Sequence, residues 1–219
     1  MGLFCRTAWS RFVIPIKPQP EPDDFDEKVR KEGKYFLSKV PNPKTKDWKN
    51  RDYWRRALRD LYDACNHICV YSAQWIPYDT GSPAVDHFIP KSVKPELAYE
   101  WDNFRLSCSK MNSNKGIKEE IIDPFFLPAD SFIIDFPSML IKPNPNLLEP
   151  LKERVVYTIK ELQFNKEMWQ LGRSYQLINY CKKKYSFDHL KENYPFIAYE
   201  LERQGLVEVD KIAYIMGVR

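Results

Sequence analysis

The sequence predicts an α+β protein. Three observations predict it: a strand–loop–strand–helix pattern in the middle of the chain, helical periodicity in the last third, and proline clusters that separate these blocks. The 219 residues suit one compact domain with appendages, or at most two small domains. A hydrophobic fraction of 43% is enough to build a packed core and argues against wholesale disorder. The 17 prolines greatly outnumber the 7 glycines, and they punctuate the chain. Pro15, Pro18, Pro20 and Pro22 fall in one stretch, and Pro124, Pro128, Pro137, Pro143, Pro145 and Pro150 in another. Proline cannot continue a helix and lacks a ladder donor, so both stretches read as extended or irregular connections. The chain thus divides into a Pro-rich basic arm (1–49), a middle block (50–120), a Pro-rich connector (121–150) and a helical C-terminal region (151–219).

Each element follows in order. Trp54, Leu58 and Leu61, with Ala57 and Tyr62 beside them, form the apolar stripe of a helix that leaves Arg55, Arg56 and Arg59 on other faces. Between Lys39 and Asp60 eight basic residues face three acidic ones, with Trp48, Tyr53 and Trp54 interleaved. Such a run is either a surface that tracks a phosphate backbone or a solvated helix face. Cys69 to Trp75, rich in β-branched and aromatic residues, reads as a strand, as do Val85 to Ile89, ended by Pro90, and Phe104 to Ser107. Ser109 to about Lys118 reads as a short helix ending near Gly116. In the last third, Leu151, Val155, Ile159 and Leu162 form one helical stripe, and Met168, Trp169, Tyr175 and Ile178 suggest another. Lys182, Lys183 and Lys184 suit a helix C-terminus, while Pro195 and Gly205 suit the two ends of a further helix.

A net charge of +4 names no partner. The longest stretch free of charged residues, Ala64 to Tyr78, is shorter than the ~20 apolar residues of a spanning helix, so no membrane segment is expected. The N-terminal residues lack the pattern of a secretory signal, and the odd set Cys5, Cys65, Cys69, Cys108 and Cys181 reads as reduced thiols. Both point to a cytoplasmic location.

Chemistry concentrates in Asp86-His87, Asn103, Arg105 and Asn112-x-x-Lys115-Gly116. The Asp86 carboxylate and the Asn112 amide oxygen are hard donors suited to Mg²⁺ or Mn²⁺. His87, mostly neutral near pH 7, can take a proton from water. Adjacent strand residues point to opposite faces, so Asp86 and His87 can serve one phosphate only if the backbone is irregular or the substrate crosses the strand edge. Asn103 can hydrogen-bond backbone across the hairpin and set the angle of the histidine-bearing loop, and Lys115 and Arg105 are candidate phosphate clamps.

This ordered set, over roughly Cys69 to Gly116, resembles the motif of the HNH endonucleases, the ββα-metal nucleases. The resemblance implies a ββα-metal core, and the proline clusters and helical stripes add an extended arm before it and a mainly helical region after it. It implies that His87 is the general base, that Asp86 and Asn112 hold one divalent ion, and that Asn103 orients the catalytic loop. Many family members frame this site with two Cys-x-x-Cys pairs around zinc. Here those positions read Cys69-x-x-Ser72 and Cys108-x-x-Met111, and serine and methionine are poor ligands, so no structural zinc is expected unless Cys65 or His67 substitutes. The expected activity is hydrolysis of nucleic acid, DNA ahead of RNA or tRNA. More loosely, Tyr53-Trp54, Val85-Asp86-His87, Leu97-Ala98-Tyr99-Glu100-Trp101, Leu162-Gln163-Phe164-Asn165 and Arg173 are similar to the HNH subunits of Septu and retron-associated anti-phage systems, which work beside an ATPase. That resemblance implies an ATPase partner docking on the C-terminal third. The alternatives are an HNH fold whose site has decayed to nucleic-acid binding, and a pure interaction subunit.

Overall fold

The computed structural model describes residues 17–218; the start of the arm, with Cys5 and Pro15, lies outside them. The architecture is α+β: eight α-helices and two separate two-stranded antiparallel sheets among the described residues. Pro18, Pro20 and Pro22 do sit in irregular chain, but residues 25–39 of the expected arm are helical. A π-helical turn, Asp26–Arg30, runs straight into α1 (Lys31–Lys39). Phe25, Val29 and Phe36 line one face of this element and are buried in the same core as the middle block. Phe25 meets Trp101 and Phe104 edge to face, at 5.5 and 5.8 Å. Arg30 pairs with Glu21 and, at 2.8 Å, with Glu100. The apolar spacing of Phe25, Val29 and Phe36 therefore outweighs the prolines before it, and the segment is docked rather than extended.

The Trp54 stripe starts as a 3₁₀ turn, Tyr53–Ala57, and continues as α2 (Leu58–Ala64), with Ala57, Leu61 and Tyr62 buried. Cys69 to Trp75 is not a strand. The Cys69 amide donates to the Gln74 carbonyl and the Ala73 amide to the Cys69 carbonyl, each at 2.9 Å, with Ala73 at φ +50°. This tight turn leaves only a bridge between Ile68 and Trp75. It is tied to the sheet by the Val70 amide donating to the Leu106 carbonyl.

Strands β1 (Pro83–His87) and β2 (Phe104–Cys108) pair antiparallel, with Asp86 opposite Arg105 and His87 opposite Phe104. β2 passes without a loop into α3 (Ser109–Lys115), which stops at Gly116, φ +53°. The expected irregular connector contains a hairpin, β3 (Phe132–Asp135) and β4 (Leu140–Pro143). Pro143 is tolerated because it ends a short edge strand. Asn165 gives β4 a surrogate partner, donating to the Ile141 carbonyl and accepting from its amide, both at 2.8 Å.

Five helices complete the chain: α4 (Leu151–Glu161), α5 (Glu167–Cys181), α6 (Phe187–Asn193), α7 (Pro195–Arg203) and α8 (Val209–Ile215). α4 buries Val155 as its stripe predicts. α5 does not bury the stripe expected of it. Met168 and Tyr175 are exposed, and Arg173, Leu177 and Tyr180 face inward instead. Arg173 donates to the carbonyls of Met139 and Phe164 and has no ion pair among the described residues, and burial pulls its guanidinium down to about 10.

Gly33 of α1 lies against a ring that cannot retreat. A Cβ there would stand 2.2 Å from Cγ of Tyr99, which is 1% exposed and donates to the Arg51 carbonyl at 2.8 Å. Gly33→Ala is therefore expected to destabilise the protein by about 1–3 kcal/mol, overriding the helix-propensity gain of about 1 kcal/mol, as a lower urea midpoint.

Candidate active site

A cleft of about 920 Å³ opens where β1, α3 and the segment before α2 meet. Its wall includes Asp86, His87 and Asn112 together with Lys44, Trp48, Trp54, Arg55 and Lys91. β1 explains how neighbours reach one cleft. His87 is its last residue, and Pro90 turns the chain away three residues later.

His87 is 8% exposed and held on several sides. Its Nε2 lies 2.9 Å from the Ala98 carbonyl, and its ring meets the Trp54 and Phe104 rings edge-on, at 4.8 and 5.5 Å. A carbonyl only accepts, so Nε2 carries the proton and Nδ1 keeps the lone pair. Burial pushes the imidazole down to about 4, helped by the Lys91 and Lys115 charges and opposed by the Ala98 carbonyl. The ring is therefore neutral near pH 7.

Asp86, 3% exposed, accepts from the Tyr71 hydroxyl at 2.6 Å on Oδ2 and faces the Lys115 ammonium at 3.3 Å on Oδ1. Burial raises its carboxyl, while Lys115 and Tyr71 pull it back. Each oxygen keeps a lone pair beyond these contacts. Asn112 is half-buried on α3, and among the described residues its side chain makes no hydrogen bond. One carboxylate and one amide oxygen are hard donors, and they leave room for the waters that Mg²⁺ retains, so the donor set fits Mg²⁺ or Mn²⁺.

Asn103 closes the loop after β1. Its Nδ2 donates to the Ile89 and Leu97 carbonyls at 3.0 and 3.1 Å, and its Oδ1 accepts from the Ile89 amide at 2.8 Å.

Two expectations need correction. Lys115 is fully buried and donates to the His87 carbonyl at 2.8 Å, so it braces β1 from inside rather than clamping a phosphate. Arg105 is 3% exposed, forks onto Asp123 at 2.9 and 2.5 Å and covers the Phe125 ring at 3.7 Å. Its donors are spent inside the protein, which removes it as a phosphate clamp. Of the basic run, Arg56 pairs with Glu32 and Arg59 with Asp63, while Lys44 and Arg55 reach the cleft.

Sequence reading did not assign Tyr71, Trp54, Lys91 or the Ala98 carbonyl to this site. Tyr71 and Ala98 carry no local signal, since only the fold brings them to Asp86 and His87. Lys91 was visible as a cation just after Pro90.

Cys69 is buried beside the half-buried Cys108, whose amide donates to the Cys69 sulfur at 3.5 Å. Burial would raise the Cys69 thiol, yet donors from Cys108 and Ser72 bring it below the usual thiol range. Cys108 is pushed up, first by Cys69 and then by burial. Met111 is packed in the core. Among the described residues, no group of three or more His, Cys, Asp or Glu side chains gathers into a metal-ligand set.

The site and frame define an α+β protein in which an antiparallel strand pair and the helix that follows present an imidazole, a carboxylate and an amide to one cleft. No family model matches the chain. Over 82 residues it is 32% identical to Septu protein PtuB of Bacillus thuringiensis, a stretch covering 37% of this chain. That stretch spans about 30% of the length of PtuB. The similarity links this chain to Septu proteins through a minority of its residues. No helix among the described residues is long and apolar enough to cross a membrane.

Two measurements test this geometry. Asn103→Ala strands one amide and two carbonyls of the loop and is expected to lower stability by about 2 kcal/mol or more in urea unfolding. The second concerns pH, in metal-free buffer. Between about 6.5 and about 4 the unfolded chain protonates His87 while the folded chain does not, so stability falls as pH drops through that window and levels off below it. Asp86 acts in the opposite sense because its carboxyl is raised, so the His87 part is the difference between wild type and His87→Gln.

Proposed function

We propose that the chain is a metal-dependent endonuclease of the HNH type. It hydrolyses phosphodiester bonds of nucleic acid, DNA ahead of RNA or tRNA, as the effector of a bacterial anti-phage system with an ATPase partner. One observation carries the reading: His87 is fixed by the Ala98 carbonyl in the tautomer that leaves the Nδ1 lone pair free to accept a proton, in the cleft wall that also holds Asp86 and Asn112. The 82-residue similarity to PtuB supports the defence setting.

His87 Nδ1 accepts a proton from a water molecule, whose oxygen attacks the phosphorus as the ester P–O bond breaks and the leaving oxygen takes a proton from solvent water. The Nε2–H keeps donating to the Ala98 carbonyl throughout, so the ring keeps its orientation as it becomes cationic. Asn103 holds the loop that carries Ala98 and so holds that carbonyl in place. Tyr71 and Lys115 keep the Asp86 carboxylate from swinging away. Asp86 and Asn112 would hold a Mg²⁺ or Mn²⁺ ion, which when bound would supply charge neutralisation at the phosphate and the leaving oxygen.

The test is a cleavage assay on plasmid DNA and bulk tRNA with Mg²⁺ or Mn²⁺, with and without any ATPase found encoded beside the gene. His87→Ala is expected to lose at least ~10² in rate while remaining folded. Asp86→Ala is expected to lose its response to Mn²⁺. A His87→Ala protein that cuts as fast as wild type overturns the reading.

A further inference from the structure

Lys91 occupies an unusual position for a lysine. Pro90 starts a turn in which the Val93 and Lys94 amides donate to its carbonyl at 2.8 and 3.0 Å, and the turn presents Lys91 to the cleft. The ammonium stands 5.0 Å from the centre of the Trp54 ring and 5.8 Å from that of Trp48. Trp54 in turn packs on His87 at 4.8 Å. Among the described residues Lys91 has neither an ion pair nor a hydrogen bond, although it is half-buried. Burial lowers its ammonium pKa, and the nearby Asp86 charge only partly offsets this. The other cations of the cleft differ. Lys44 is exposed, Arg55 is 75% exposed and pairs with Asp52 at 3.0 Å, and Lys115, behind the cleft wall, is spent on the His87 carbonyl and Asp86.

A half-buried cation without an anionic partner is a standing electrostatic cost, and two indole faces compensate it only in part. The deficit is met by an anion entering the cleft. The geometry points to Lys91 as the residue that anchors a phosphodiester anion of the nucleic acid beside His87, the role that Lys115 and Arg105 cannot fill. This rests on the nuclease reading for the identity of the anion, while the anchoring itself is a matter of binding. The indoles hold the ammonium in place before substrate arrives, so less side-chain freedom is lost when the phosphate binds. A lysine suits this role as a point charge that makes no demand for a planar, two-pronged partner.

The experiment measures binding of short fluorescent DNA and RNA oligonucleotides to the full chain in EDTA, where cleavage is off, across a salt series. Lys91→Gln is expected to weaken binding about tenfold at low salt. It is also expected to flatten the slope of log affinity against log salt by the share of one phosphate, about 0.7–0.9. Its thermal midpoint should stay level or rise, because an uncompensated charge has been removed. Lys91→Arg should retain most of the affinity, and Lys211→Gln, an exposed lysine paired with Glu208 on α8, should match wild type in slope. The DNA and RNA arms show which nucleic acid supplies the phosphate. An unchanged affinity and slope in Lys91→Gln overturns the anchor, whatever the cleavage assay shows. A wild type that cuts nothing, yet binds through Lys91, keeps the anchor and sinks the nuclease. A wild type that binds neither oligonucleotide overturns both.

Discussion

The Lys115 ammonium, with no solvent exposure, sits between the His87 carbonyl at 2.8 Å and the Asp86 carboxylate at 3.3 Å. It ties the C-terminal end of α3 to the end of β1 and so sets the relation between the strand bearing Asp86 and His87 and the helix bearing Asn112. A charge this deep is tolerable only when paired and hydrogen-bonded. The carboxylate, the carbonyl and the Phe88 ring, 5.8 Å away, together supply that environment. The same carboxylate is satisfied from its other side by Tyr71, so lysine, aspartate and tyrosine form one interdependent buried network. Removing any member strands the others.

The C-terminal helices belong to the same body. Asn114, next to Lys115 on α3, donates to the Leu162 carbonyl at the end of α4, and the Ile122 amide donates to Thr158 within α4. The Trp75 amide at the edge of the Cys69 turn donates to the Asn193 carbonyl at the end of α6. The β3–β4 hairpin is held by Asn165 and Arg173, both from the helical region. These bonds satisfy buried polar groups that no local structure could reach, so the helical third buttresses the strand–strand–helix block. What it leaves outward is the face of α5 with Met168, Leu171 and Tyr175.

Legibility in the sequence followed the range of the interactions. The β1–β2–α3 order and the C-terminal helices were readable because apolar periodicity and Gly or Pro punctuation act over a few residues. The helix over 26–39 was missed because the prolines before it are loud and its apolar contacts, Phe25 with Trp101 and Phe104, lie across the chain. The hairpin was hidden in the same way, since a surrogate partner at Asn165 lets a proline-rich segment pair. At the site, Asp86, His87, Asn103 and Asn112 could be named from their order, whereas the direction in which a cation points could not. Lys115 and Arg105 looked like surface clamps because a sequence does not say which lysine or arginine will find a buried carboxylate.

The sequence by itself determined the α+β class, the order of the chemical groups and their residue types, all consequences of local backbone preference and side-chain chemistry. Tertiary structure alone decided which imidazole nitrogen keeps its lone pair, which cations are buried and that Lys91 is half-buried without an ion pair. Those outcomes depend on partners such as Ala98, Tyr71, Asp123 and Trp54. Desolvation and hydrogen bonding act through space, and their partners are distant along the chain.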